Sequence, residues 1–308
     1  MRRMLVAALV LTAPICMVRP ASAGQMTYLS LGDSIAFGET DFQNNPSAGN
    51  RGYVKQYARY LGGQNGGVDP MVVNLAVDGD TSTSFMTAAG RVAPSSGISD
   101  QVLASYNTHY AGNVTLSQNT KMIQAIGNQL ANGNTISNVT VSLGANDLYA
   151  LAGTPGFLTA SPADQQAMLA QALGKFANNY TNILGEVKAL LPNAHVALVG
   201  VYNAFPATPS NPLNAVAAPA IQALNATIQA LAKATGADYV DTYSAFVGHE
   251  ADYTHIVHMP GNAHPNAKGY AAIAAQIEAV PEPSSLAVLG LGCAALGLGA
   301  RRRMRASA

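Results

Sequence analysis

Four short stretches of this chain carry residue types that together fit acyl transfer, which needs a nucleophile, a base and donors aimed at a developing oxyanion. Tyr28-Leu29-Ser30-Leu31-Gly32-Asp33-Ser34 is an apolar run that breaks off in a turn triplet and leaves Ser34 just beyond it. Asp78-Gly79-Asp80 and Gly144-Ala145-Asn146-Asp147 close two further apolar runs, and His264 stands in Gly261-Asn262-Ala263-His264-Pro265-Asn266. Ser34 Oγ is the candidate nucleophile. A neutral His264 imidazole is the candidate base, able to accept the serine proton and return it to the leaving group. The backbone N–H groups of Ser34 and Gly79 and the amide NH₂ of Asn146 are candidate oxyanion donors. Losing one such donor typically lowers turnover ~100- to ~1,000-fold. Gly-Asp-Ser is also good turn chemistry in its own right, so Ser34 draws its weight from the other three stretches.

Elements must bring these stretches together. Met26–Leu31, Met71–Val77, Ile136–Leu143, His195–Val201 and Ala237–Asp241 read as short strands. Between them lie helical patterns at Tyr53–Leu61, Gln118–Ala131, Ser161–Leu191 with a break expected near Gly174, Ala220–Ala234 and Pro265–Ala279. Ser161 followed by Pro162 is an N-cap with proline at the first helical position. Thr40–Gly52, Ala93–Thr115 (with a short helix near Gln101–Tyr106) and Phe205–Pro212 read as loops. Strands alternating with helices imply a parallel sheet covered on both faces. The carboxyl ends of such strands share one edge, where open α/β sheets bind ligands. Residues distant in sequence can therefore converge there.

The two ends differ from the body. Met1-Arg2-Arg3, an apolar run to Cys16 and Ala21-Ser22-Ala23 have the layout of a secretory signal peptide cleaved after Ala23. Residues 1–23 are thus a signal peptide, 24–279 one domain, and 280–308 a sorting or membrane tail. Both cysteines, Cys16 and Cys293, fall in the end segments, so the body has no disulfide or thiolate chemistry. Residues 24–280 hold nine Lys/Arg against fifteen Asp/Glu, a net charge of −6. An acidic body with scattered bases carries no footprint for nucleic acid.

The four stretches resemble the sequence blocks of SGNH, or GDSL-type, esterases and lipases, in family order across nearly all of the mature chain. Gly32-Asp33-Ser34 resembles the serine block, Asn74 to Ser82 the glycine block, Gly144-Ala145-Asn146-Asp147 the Gly-x-Asn-Asp block, and His264-Pro265-Asn266 through Tyr270 the histidine block. The resemblance implies a three-layer α/β/α, flavodoxin-like fold with a parallel five-stranded sheet, and ester hydrolysis through Ser34 and His264 without a cofactor. Val280-Pro281-Glu282-Pro283-Ser284, the apolar span to Ala300 and Arg301-Arg302-Arg303-Met304-Arg305 resemble a PEP-CTERM sorting tail. That implies export in a Gram-negative bacterium, processing by an exosortase-type peptidase, and contact with the membrane only through the tail. The mature protein is then extracellular or attached to the cell surface.

One departure stands out. The family usually has Asp three residues before the histidine, where this chain has Gly261. The group orienting His264 is open: the Gly261 carbonyl in a Ser–His dyad is preferred, with Asp252 or Glu250 as the alternatives. The expected substrate is an acyl ester or an acetylated glycan. The rival class is a non-catalytic surface or matrix binding module on the same fold. His249, Glu250, Asp252, His255, His258 and His264 invite a metal site, but position 253 is Tyr, so they do not form His-Glu-x-x-His. No metal is expected. Asp33 and Asp147 are expected to support their loops. Tyr53, Tyr57, Tyr60, Tyr106 and Tyr149 are read as packing residues before pocket residues, and His195 and His109 as structural.

Overall fold

In a computed structural model, which describes residues 24–39, 52–92, 116–206, 212–259 and 261–280, successive strand residues feed two separate cores. In β1 (Met26–Gly32), Tyr28 joins one apolar cluster while Leu29 and Leu31 join the other. In β4 (His195–Val199), Ala197 and Val199 face the first and Val196 and Leu198 the second. This period of two, apolar on both sides, is what a sheet buried on both faces requires. Each large side chain so buried contributes about 1.5–3 kcal/mol.

With β2 (Met71–Asn74), β3 (Thr135–Ser142) and β5 (Asp238–Val240), these strands form one parallel five-stranded sheet in the order β2-β1-β3-β4-β5. That is the flavodoxin-like strand order. The described helices, in chain order, are α1 (Ser34–Phe37), α2 (Gly52–Gln64), α3 (Ser82–Thr87), α4 (Gln118–Ala131), α5 (Ala145–Ala152), α6 (Pro162–Leu190), α7 (Pro212–Thr235), α8 (Thr242–Phe246), α9 (Glu250–Tyr253) and α10 (Ala267–Glu278). Tyr53, Tyr57 and Leu61 of α2 and Tyr270, Ile273 and Ile277 of α10 cover one face. Met122 and Ile126 of α4, Phe176 to Val187 of α6 and Leu224 and Ile228 of α7 cover the other.

Several expected boundaries move. β2 stops at Asn74 rather than Val77, because the Asn74 side chain takes over: its Oδ1 accepts from Ala76 N at 3.1 Å and its Nδ2 donates to Ala36 O at 2.8 Å. The chain beyond still bonds β1, through Leu75 N to Ser30 O and Val77 N to Gly32 O. Helix α6 runs unbroken through Gly174. A helical glycine costs about 1 kcal/mol, less than the burial of Phe176, Tyr180, Ile183, Leu184 and Val187 returns. Helix α7 begins at Pro212 and carries Pro219 inside it, where a loop up to Pro212 and a helix from Ala220 were expected. The short helices α1, α5, α8 and α9 were not expected; each is eight residues or fewer of local chain at a strand exit or a loop. The signal peptide, the C-terminal tail beyond residue 280, nearly all of Thr40–Gly52 and Ala93–Thr115 with its short helix lie outside the described residues.

Candidate active site

Ser34 is the first residue of α1, directly after β1 and its cap Asp33. The turn depends on Gly32, whose φ is +141° and whose hypothetical Cβ would lie 2.1 Å from Ser142 O. Only glycine fits so close to the neighbouring strand. Asp33 Oδ1 accepts from Ile35 N at 3.0 Å, so this acid supports the turn. Burial pushes the Asp33 carboxyl up to about 8, aided by the nearby Asp78, Asp80 and Asp147 and opposed by the Ile35 bond. As a first-turn residue, Ser34 has a backbone N–H without an intrahelical acceptor.

The glycine loop follows β2. Gly79 has φ +76°, and a Cβ there would sit 2.0 Å from Val92 O. Its neighbours are fixed by a chain of polar contacts. Thr81 caps α3 by accepting from Ser84 N at 3.0 Å, and Ser84 Oγ donates to Asp80 Oδ1. Asn146 Nδ2, at the start of α5, donates one bond to Asp80 O at 3.0 Å. Asp147 accepts from Ser82 N at 2.9 Å and from Ser82 Oγ at 2.6 Å, locking the asparagine loop to α3 as a loop support.

Gln118 was not singled out in the sequence, yet it ties two of these loops together. Its Oε1 accepts from Gly32 N at 2.7 Å, and its Nε2 donates to Gly32 O at 2.9 Å and to Asp80 Oδ2 at 2.7 Å. The only signal in the sequence was its place next to the cap Ser117 at the start of a helix.

His264 comes from the far end of the chain. A bridge between Thr254 and Pro265 holds its loop, together with His255 N to His264 O at 3.0 Å and Tyr202 Oη to Ala263 O at 2.8 Å. Its Nε2 lies 2.9 Å from Ser34 Oγ, across 230 positions of sequence. Its Nδ1 lies 2.9 Å from Asn262 Oδ1, which also accepts from His264 N at 3.0 Å. An amide oxygen facing Nδ1 holds the proton on that nitrogen and leaves Nε2 free to accept. Burial lowers the imidazole below its usual 6.5, while Asp78 works in the opposite direction.

The Nδ1 partner is therefore the Asn262 side chain, where the Gly261 carbonyl, Asp252 or Glu250 had been expected. Glu250 Oε1 instead accepts from Gly248 N at 3.1 Å, and Asp252 O accepts from Asn266 Nδ2 at 2.7 Å. The Glu250 carboxylate thus serves its own loop, and Asp252 is an exposed residue whose backbone oxygen, not its carboxylate, makes the contact. An amide two residues before a histidine has no sequence signature of its own, yet it closes the contact as well sterically as a carboxylate would.

The histidine-rich stretch does not gather into a cluster. His249 stacks on Tyr253 at 4.9 Å, and His255 supports the loop through its backbone. Among the described residues, the acids and imidazole whose side-chain atoms come within 4.8 Å of one another are Glu39, Asp78 and His264. Their shared imidazole nitrogen already faces Ser34, with Glu39 Oε2 3.8 Å away. Burial, then Glu39, pushes Asp78 up to about 8. His195 bonds Asp238 at 2.6 Å between β4 and β5, remote in role from these loops. Tyr53 and Tyr57 are core residues, whereas Tyr149 is 47 % exposed. Tyr106 and His109 lie outside the described residues.

Solved structures share this architecture. A lipase from a goat rumen metagenome aligns at 21% identity over 83% of this chain and 97% of its own, with a TM-score of 0.54. An extracellular lipase from Streptomyces rimosus aligns at 18% identity over 83% and 100%, also at 0.54. An acetylxylan esterase variant from Geobacillus stearothermophilus aligns at 16% identity over 84% and 96%, at 0.52. No curated protein matches the chain. Residues 279–303 match the PEP-CTERM protein-sorting motif, as the Pro-Glu-Pro, apolar and arginine segments had suggested. Residues 30–272, which span every loop described above, match the GDSL-like lipase/acylhydrolase family, and the chain belongs to that family of ester hydrolases.

Proposed function

We propose that the protein is an exported serine esterase in which Ser34 is the nucleophile and His264 the general base. The contact of Ser34 Oγ with His264 Nε2 at 2.9 Å, backed by Asn262 at Nδ1, carries this reading. In the first half-reaction Oγ bonds to the ester carbonyl carbon, its proton passes to Nε2, and the carbonyl electrons move onto the oxygen. Collapse of that oxyanion breaks the bond to the alcohol, which leaves with the proton from Nε2. Water repeats the sequence on the acyl-enzyme and releases the acid. The oxyanion donors are the N–H groups of Ser34 and Gly79 and the second N–H of Asn146 Nδ2, whose first is held by Asp80 O.

Substrates are esters of simple acyl groups or acetyl groups on a polysaccharide. The lipases and the acetylxylan esterase of similar fold support that range. The PEP-CTERM match supports export and processing by an exosortase-type peptidase, with residues 1–23 as the signal peptide and 24–279 as the released or surface-held domain. A series of p-nitrophenyl esters of increasing chain length, run beside acetylated xylan, tests the class and ranks the substrates. Hydrolysis lost in Ser34→Ala supports the enzyme. Wild-type protein that binds glycans but hydrolyses none of these esters would instead support a binding module.

A further inference from the structure

Two buried acids stand on the serine side of the imidazole, and the mechanism above does not use them. Glu39 follows the short helix after Ser34; its backbone N donates to Ser34 O at 2.9 Å, and Tyr270 Oη donates to its carbonyl. Asp78 immediately precedes Gly79. Glu39 is 1 % and Asp78 2 % exposed. The two carboxyls and the His264 ring bring side-chain atoms within 4.8 Å of one another, with Glu39 Oε2 3.8 Å from Nε2. Two like charges that close in a buried site do not both ionise, so the pair retains one proton and one negative charge.

Asn262 fixes the ring but is neutral. It can choose the tautomer and cannot balance the positive charge that His264 acquires when Ser34 gives up its proton. We infer that the Glu39–Asp78 acid pair supplies that balance, stabilising the His264 imidazolium from the Nε2 side in place of a carboxylate at Nδ1. The inference rests on the esterase reading. The pair acts through His264 and touches no reacting atom, and its shared proton limits the charge facing the oxyanion to one. The other groups facing it are Arg91, Asp33, Tyr202 and Tyr270. The raised Asp78 and the upward pull of Asp78 on His264 agree with this arrangement.

A pair that shares a proton has a distinctive signature. Replacing either acid leaves the other ionised, so the charge survives; replacing both removes it. In the full chain, Glu39→Gln and Asp78→Asn should each keep kcat within about threefold, less than half a pKa unit in free energy. The double variant should lose about tenfold or more in kcat, with little change in KM. The acid limb of its kcat/KM profile should move down by about 1–3 units, because the imidazolium has lost its anion. Measured in an Asp33→Asn background, which removes the other acid raised to about 8, each single variant should also lose an inflection expected near pH 8 from Asp78. Loss of that inflection decides the matter if the double variant does not fold. Wild-type kcat and an unmoved acid limb in the folded double variant would overturn the inference, as would an inflection near pH 8 that both single variants retain. A wild-type protein without Ser34-dependent turnover would instead remove the esterase reading, which is a separate result.

Discussion

Asn262 faces the imidazole nitrogen where an acid would ordinarily sit, and its replacement separates orientation from charge. Asn262→Ala should lower kcat by about 10- to 100-fold, since general-base assistance needs the ring held in the right tautomer. Asn262→Asp should retain activity and move the acid limb of kcat/KM up by about 1 unit or more, the effect of an opposite charge in contact. A pH–rate series on both variants checks this, and an Ala variant with wild-type kcat would show that the ring needs no such partner. In the wild type, burial lowers His264, so the base remains neutral and competent below pH 6.5 and activity falls only in more acidic solution. Ser34, Gly79, Asn146 and His264, the residues proposed for catalysis, could be picked out in the sequence because each lies in a loop beside a strand or helix end within a stretch of evident chemistry. Asn262, Gln118, Glu39 and Asp78 could not. Gln118, Glu39 and Asp78 act through contacts across tens to hundreds of positions, and Asn262, only two residues from His264, is a loop amide with no local pattern to announce it.

The loops that converge on Ser34 are held by buried polar contacts between elements, and they set the stability of the site. Gln118→Leu removes the side-chain acceptor of Gly32 N and one donor each from Gly32 O and Asp80 Oδ2, while Val77 N and Ser84 Oγ still serve Gly32 O and Asp80 Oδ1; a buried group left unpaired costs about 1–3 kcal/mol. A lower Tm together with a reduced kcat is expected, because the same side chain joins the serine turn to the glycine loop. Unchanged melting would mean that water replaces it. Acid pKa values give a second test. Asp33 and Asp78 are raised from 3.8 to about 8 in the folded chain, so they favour folding fully below pH 3.8 and lose that contribution as pH rises towards 8. Depressed His264 works the other way, costing stability below pH 6.5. Tm should therefore fall between pH 6.5 and about 8, and Asp33→Asn should flatten that slope. The strands themselves were readable, since their apolar residues face both cores. Their ends were less so: Asn74 shortened β2 with its own side chain, and burial carried α6 past Gly174 despite the cost of a helical glycine.

At the scale of the molecule, a parallel sheet in the flavodoxin-like order presents three strand ends at one edge, and the last helix brings His264 back to them. Every site residue lies between 30 and 272, within the family match and upstream of the sorting motif at 279–303. Removing residues 280–308 should leave kcat/KM for a soluble ester within about twofold, since every group proposed for catalysis lies upstream. Assays of the full and shortened chains check this. The sorting motif was recognisable in the sequence because Pro-Glu-Pro, an apolar span and an arginine run follow one another in that order. What the sheet edge accomplishes is most directly seen by labelling the activated nucleophile, whose oxygen displaces fluoride from a fluorophosphonate and keeps the phosphonyl group. Full-length protein treated briefly with a fluorophosphonate, digested and weighed by mass spectrometry, should carry one adduct, on the peptide containing Ser34, and His264→Ala should carry far less. An unmodified Ser34 peptide, or an adduct on another residue, would contradict the account.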